Sequence, residues 1–154
     1  RYTFSLPFRI GAIIAGTDEK TATQLELFGE KLGIVFQIKD DELGIFGDEN
    51  QIGKPVGSDI RQNKKTIFRA LLFQKARQED LKYINEIFGN SSVSHEDVKK
   101  VRELILKYHI NEGAGKMVQD LSNEARKILK GLKVSKYFRN VLEELISYNA
   151  SRNK

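Results

Sequence analysis

The stretch Phe36-Gln37-Ile38-Lys39-Asp40-Asp41-Glu42-Leu43-Gly44, read with the residues before it, decides the fold class. It closes a run without Pro, from about Thr21 to Phe46, in which apolar residues recur at helical spacing and not in alternation. At about 100° per residue, Gln37, Asp40, Asp41 and Gly44 fall within an arc of roughly 100°. Glu26, Gly29, Glu30 and Gly33 extend that stripe toward the N-terminus. Leu27, Ile34, Ile38 and Ile45 flank it on one side, and Leu25, Leu32, Phe36 and Leu43 on the other. Such a helix is expected inside a bundle, its polar stripe facing a polar cavity. Two adjacent carboxylates there repel each other and are poorly solvated, so they call for a cation or hydrogen-bond donors. Each Gly in the stripe costs about 1 kcal/mol relative to Ala, and the reading is that lost bulk leaves room for a ligand. The plainer alternative is a solvated acidic patch near a helix C-terminus, where the helix dipole disfavours it.

The following loop weighs between the two. Gly47, Asp48, Asn50, Gly53, Pro55, Gly57 and Ser58 mark a polar loop over about 47–60. Lys54 sits between Gly53 and Pro55, where the backbone has few options. Lys64 and Lys65 are expected at the start of a helix over about 63–76, where free backbone N–H groups favour anions. Lysine is a good point-charge partner for phosphate. Acids that hold a cation, followed by lysines on a loop, make a site for a metal–diphosphate complex. The loop lacks the Gly-x-x-x-x-Gly-Lys-Ser/Thr spacing of a nucleotide P-loop.

The rest of the chain fits an all-α protein. It has 154 residues, 40% apolar and 31% charged, with only two Pro, and one domain over 1–154 is expected. A first helix over 1–16 ends at Gly16, and Asp18 or Thr21 caps the next. Further helices are predicted over 79–88, from Ser94 to about Tyr108, over 116–130 and over 135–148, with a break from Asn111 to Gly115. There is no Cys, and His95 and His109 lie too far apart for a short zinc motif. Any metal is therefore held by oxygen, which points to a hard cation such as Mg²⁺. The net charge of +5 suits an anionic partner without choosing among nucleic acid, a membrane surface and diphosphate. No apolar run approaches the ~18 residues of a membrane span. No secretory signal is evident, and the opening at Arg1 without Met reads as a fragment or processed piece. His95 reads as part of a helix start, and the Lys-rich stretch from Lys99 to Lys133 as a solvated helix face.

Together these residues resemble the trans-prenyltransferases, the farnesyl, geranylgeranyl and longer polyprenyl diphosphate synthases. Residues Phe36 to Gly44 are similar to that family's second aspartate-rich region, Phe-Gln-x-x-Asp-Asp-x-x-Asp. Gly53-Lys54-Pro55-Val56-Gly57-Ser58-Asp59-Ile60 with Lys64 resembles the following Gly-Lys-x-x-Gly-x-Asp segment and second lysine. Tyr2 to Pro7, then Gly11 to Gly16, resemble the helix after the family's Lys-Thr pair. The motifs cover about residues 1–66.

The resemblance implies the C-terminal half of an isoprenoid-synthase-like orthogonal helical bundle. It implies Mg²⁺-dependent condensation of isopentenyl diphosphate with an allylic diphosphate, in a cytoplasmic homodimer. Asp40 would be the principal metal ligand, with Asp41 in support, directly or through water. Gln37, Lys54 and Lys64 would hold the allylic diphosphate, with Tyr2 lining the cavity, Phe36 near the isoprene chains and Asp59 at most behind these contacts. Gly44 departs from the pattern, which has Asp there. The first aspartate-rich motif is not in the chain, so the N-terminal half of the enzyme is an implied partner and the chain alone is expected to be inactive. A non-catalytic partner subunit is the alternative. A nucleic-acid-binding module fits less well, because Asp40 and Asp41 would repel phosphates unless a metal intervened.

Overall fold

A computed structural model describes residues 3–47 and 57–152. The described residues form helices and no strands: α1 Ser5–Ile14, α2 Glu19–Phe46, α3 Ser58–Arg61, α4 Ile67–Lys75, α5 Gln78–Ile87, α6 His95–Lys107, α7 Ile110–Gly131 and α8 Lys136–Ser151. No described helix is long and apolar enough to cross a membrane. Two compact units emerge, one from the described parts of Arg1–Gln37 and Met117–Arg152, the other from those of Ile38–Lys116. α2 and α7 each contribute to both.

α2 begins where Asp18 can cap it: Asp18 Oδ1 accepts from the Thr21 N–H at 2.8 Å. Thr21 thus lies inside the helix, and Asp18 is the cap. Gly16 takes a φ of +70°, a left-handed turn that frees α1 from α2. α2 then runs 28 residues to Phe46, as its periodicity predicts. At its far end Arg102 Nε donates to Ile45 O at 2.6 Å and Nη2 to Gly47 O at 3.4 Å. A guanidinium there satisfies carbonyls that have no helical partner and answers the negative end of the dipole. Arg139 does the same near the end of α7, donating to Leu129 O and to Leu132 O at 2.8 Å.

The core of the first unit gathers Phe28, Leu32, Ala125, Leu129, Leu132 and Ile146, with Phe4 and Phe8 of the N-terminal segment packed against it. The Phe8 ring meets Phe28 edge-on at 5.2 Å between centroids. This approach explains two glycines. A Cβ on Gly29 would lie 2.9 Å from both Phe4 O and Ser5 Cα, and one on Gly33 would lie 3.3 Å from Phe4 Cβ. The sequence reading that these glycines open ligand space is therefore corrected: protein fills it. One apolar flank is also unevenly buried, since Ile38 and Ile45 are enclosed whereas Leu27 and Ile34 stay 43% and 39% exposed.

In the second unit Phe68, Leu72, Ile84, Val101 and Ile105 are essentially without solvent contact. Ser94 and Asp97 form a reciprocal capping box at the start of α6. The predicted break over Asn111–Gly115 is not there. The chain turns earlier, at Tyr108 and His109, the latter with φ +54°, and α7 runs on unbroken. Ile110, Ala114, Val118, Ala125 and Leu129 form a buried stripe at helical spacing along α7. Burying it outweighs the helix-propensity loss at Gly113 and Gly115.

Two glycine substitutions should act with opposite sign in thermal unfolding. Gly29→Ala forces a methyl into the backbone of α1 and should cost about 1–3 kcal/mol. Gly113→Ala meets nothing within 4 Å and should gain about 0.5–1 kcal/mol. Equal shifts for the two would refute this account of α1 on α2.

Candidate active site

The acidic pair occupies the last three turns of α2. Asp40 is half-buried and Asp41 only 5% exposed, while Gln37, one turn earlier on the same helix, is exposed. A carboxylate as enclosed as Asp41 needs donors. One is the backbone N–H of Ile67, the first residue of α4, which donates to Asp41 Oδ2 at 3.3 Å. The expected helix start at Lys64 and Lys65 thus needs correcting. Thr66 is the N-cap, its side chain accepting from Arg69 N at 3.2 Å, and the two lysines lie in the link before it. A Thr ahead of Ile67-Phe68 is a cap signal the sequence offers. The anion at this helix start is Asp41 itself.

Lys64 forms an ion pair with Asp59, and its backbone N–H donates to Asp59 O at 2.9 Å. The Asp59 hydrogen bond holds the Lys64 ammonium above its ordinary pKa; partial burial opposes this, and the charges of Asp59, Asp40 and Asp41 add to it. The lysine therefore lies within electrostatic reach of the acidic pair. Asp59 sits on α3 and is 8% exposed. α3 is itself fixed, for Arg61 donates to Val93 O from Nε at 3.3 Å and Nη2 at 3.1 Å. Gly57 before it has φ +81°, and a Cβ there would lie 2.5 Å from Val98 Cγ2. The turn requires glycine on both counts.

Glu42 faces elsewhere and pairs with Lys39 at 2.5 Å, while Lys31 pairs with Glu124 at 2.7 Å. The Phe36 ring lies 5.2 Å from that of Phe4, and the Arg152 guanidinium stands 4.4 Å over it. Tyr2 and Lys54 lie outside the described residues. His95 opens α6, and His109 Nδ1 is 2.8 Å from Glu112 Oε1.

Among the described residues, no three His, Cys, Asp or Glu side chains gather as a metal-holding group. Two neighbouring carboxylates nonetheless suit magnesium. That ion keeps several waters and takes one or two protein carboxylates together with substrate phosphates, unlike ions held in all-protein cages.

The chain matches the family model described as "Polyprenyl synthetase" over residues 1–105. It is 34% identical over 152 residues to a geranylgeranyl diphosphate synthase of Saccharolobus solfataricus, covering 98% of this chain and 46% of that one. It is 40% identical over 108 residues to the corresponding protein of Sulfolobus acidocaldarius, covering 70% of this chain and 33% of that one. Its structure is similar to the crystal structure of a geranylgeranyl pyrophosphate synthase from Corynebacterium glutamicum complexed with isoprenyl diphosphate and magnesium. There the TM-score is 0.91 at 32% identity, over 98% of this chain and 43% of that one. The chain spans less than half the length of these relatives.

Arg102→Met should leave the Ile45 and Gly47 carbonyls without that donor and cost about 1–3 kcal/mol. Hydrogen exchange should quicken in the last turn of α2 in this variant. Unchanged protection there would reject Arg102 as the group that secures the acidic end of the helix.

Proposed function

Because the chain belongs to the polyprenyl synthetase family, we propose that it supplies the second metal- and diphosphate-binding motif of an enzyme that condenses isopentenyl diphosphate with an allylic diphosphate. The observation that carries this reading is one cluster: Asp40 and Asp41 at the end of α2, with the Lys64 ammonium in their field and tied down by Asp59. A cation holder beside an anion holder is what a metal–diphosphate complex needs.

Asp40, less enclosed than Asp41, is the principal magnesium ligand, and Asp41 supports it. Lys64 and Gln37, with Lys54, hold the allylic diphosphate. By the family resemblance, Tyr2 would line the diphosphate cavity and Phe36 would lie beside the isoprene chain. Magnesium bound there would neutralise the diphosphate and stabilise it as a leaving group. The chain's own residues fix where the diphosphate lies, and the ammonium of Lys64 offsets charge that grows on its oxygens as the allylic bond breaks. Isopentenyl diphosphate binding and the remaining metal ligands belong to the half of the fold that the longer relatives have and this chain does not span. The whole protein acts as a homodimer, as the family resemblance implies, and the 154-residue chain by itself makes no product.

Steady-state kinetics with magnesium varied test the assignment in the full-length protein. Asp40→Ala should lower turnover ~10²-fold or more, equivalent to about 2.7 kcal/mol of barrier. Asp41→Ala should lower it less, and Glu42→Ala least, because Glu42 is engaged with Lys39. Equal activities for Asp40→Ala and Glu42→Ala would reject the acidic pair as the site of chemistry.

A further inference from the structure

Charge is unevenly placed along the chain. Of its 26 basic and 21 acidic residues, six basic and no acidic ones fall between Ala125 and Leu142, which leaves 20 and 21 for the rest. The net charge of +5 is thus carried by the corner where α7 ends and α8 begins. Two of the six are engaged. Arg126 pairs with Glu143 at 2.5 Å, and Arg139 donates to the Leu129 and Leu132 carbonyls. The other four, Lys127, Lys130, Lys133 and Lys136, are exposed. The acids on either side, Glu124 and Glu143, are taken up by Lys31 and Arg126. Lysines near the end of α7 answer its dipole, but Lys136 opens α8 with no acid in the first turn, against the dipole there. The stability of α8 does not account for that choice. The same turn holds Tyr137 and Phe138 70% and 60% exposed, their rings edge-on at 5.3 Å, and Val141 follows at 42%.

We propose that this corner docks on an anionic lipid surface. Clusters of about four to eight basic residues on an amphipathic helix bind anionic headgroups. A lysine can lay its stem along the apolar boundary while its ammonium stays among the phosphates. Tyrosine and phenylalanine rings favour the same boundary, and Val141 adds aliphatic surface one turn on. Nucleic acid fits less well. Its readers rely on arginine, and both arginines of the corner are engaged within the protein. On the proposed function the product would carry a prenyl chain that a bilayer takes up, but the docking does not depend on that reading.

Co-sedimentation of the full-length protein with vesicles at physiological ionic strength tests the proposal. Vesicles of equal parts phosphatidylglycerol and phosphatidylcholine should bind it, and vesicles of phosphatidylcholine alone should not. Lys133→Gln and Lys136→Gln should each weaken binding about fivefold. Lys82→Gln combined with Lys116→Gln removes exposed lysines elsewhere and should change it less than about twofold, since distant charges are screened. Tyr137→Ser combined with Phe138→Ser should weaken binding about tenfold at unchanged Tm. A fall in Tm in that variant would mean that the rest of the protein packs on the rings, and would overturn the proposal. No binding to the anionic vesicles, an equal loss in the Lys82 and Lys116 control, or full binding by the aromatic variant would each overturn it too. Duplex DNA bound more tightly than the vesicles, through the same lysines, would replace the lipid with nucleic acid. Sedimentation reads no catalysis, so this proposal and the metal–diphosphate reading stand or fall separately.

Discussion

A carboxylate nearly withdrawn from water must be met by donors, and Asp41, 5% exposed beside Asp40, sets that demand for the second unit. The start of α4 meets part of it, because the Ile67 N–H points at Asp41 and the positive end of that helix lies behind the bond. The end of α2 makes matters worse, since its own dipole is negative there. Arg102 offsets this at the Ile45 and Gly47 carbonyls. Thus α2, α4 and α6 are tied together at the place where charge is hardest to bury. The short α3 follows the same logic. It brings Asp59 to Lys64, and Lys64 into the field of the acidic pair.

The glycines of α2 show how one residue type serves two ends. At Gly29 and Gly33 the missing side chain lets the N-terminal helix lie against α2, with Phe4 and Phe8 entering the core. At Gly44 the Asp59 carboxylate lies beside the bare backbone, 3.0 Å from where a Cβ would stand. In both cases the occupant is the protein's own chain.

How far this was legible in the sequence depends on which force decided each feature. The extent of α2 to Phe46 could be read because a long apolar period ended in Gly47 and a polar loop. The Ser94 cap could be read because capping is local chemistry between neighbours. The break assigned to Asn111–Gly115 could not be corrected from propensity, since burial of the Ile110–Leu129 stripe is a tertiary effect. The acidic pair and the lysine were visible as residue types at a spacing. The bond from the Ile67 N–H to Asp41 was not, because it joins positions 26 residues apart in the chain through a contact that only the fold creates.

Charge in the described cluster explains why a site of this kind would need a divalent cation. Asp40, Asp41 and Asp59 set three carboxylates near the ammonium of Lys64, and Lys64 is already engaged with one of them. A bare diphosphate approaching that group would meet more repulsion than attraction, and partial enclosure strengthens the repulsion. On the proposed function, a magnesium ion held by Asp40 and Asp41 would reverse the sign, and the two acids would favour the anion instead of repelling it. The chain's net charge of +5 leads toward an anion only at long range. Within the described cluster the three carboxylates outnumber the Lys64 ammonium, so on the proposed function metal and anion would arrive as partners.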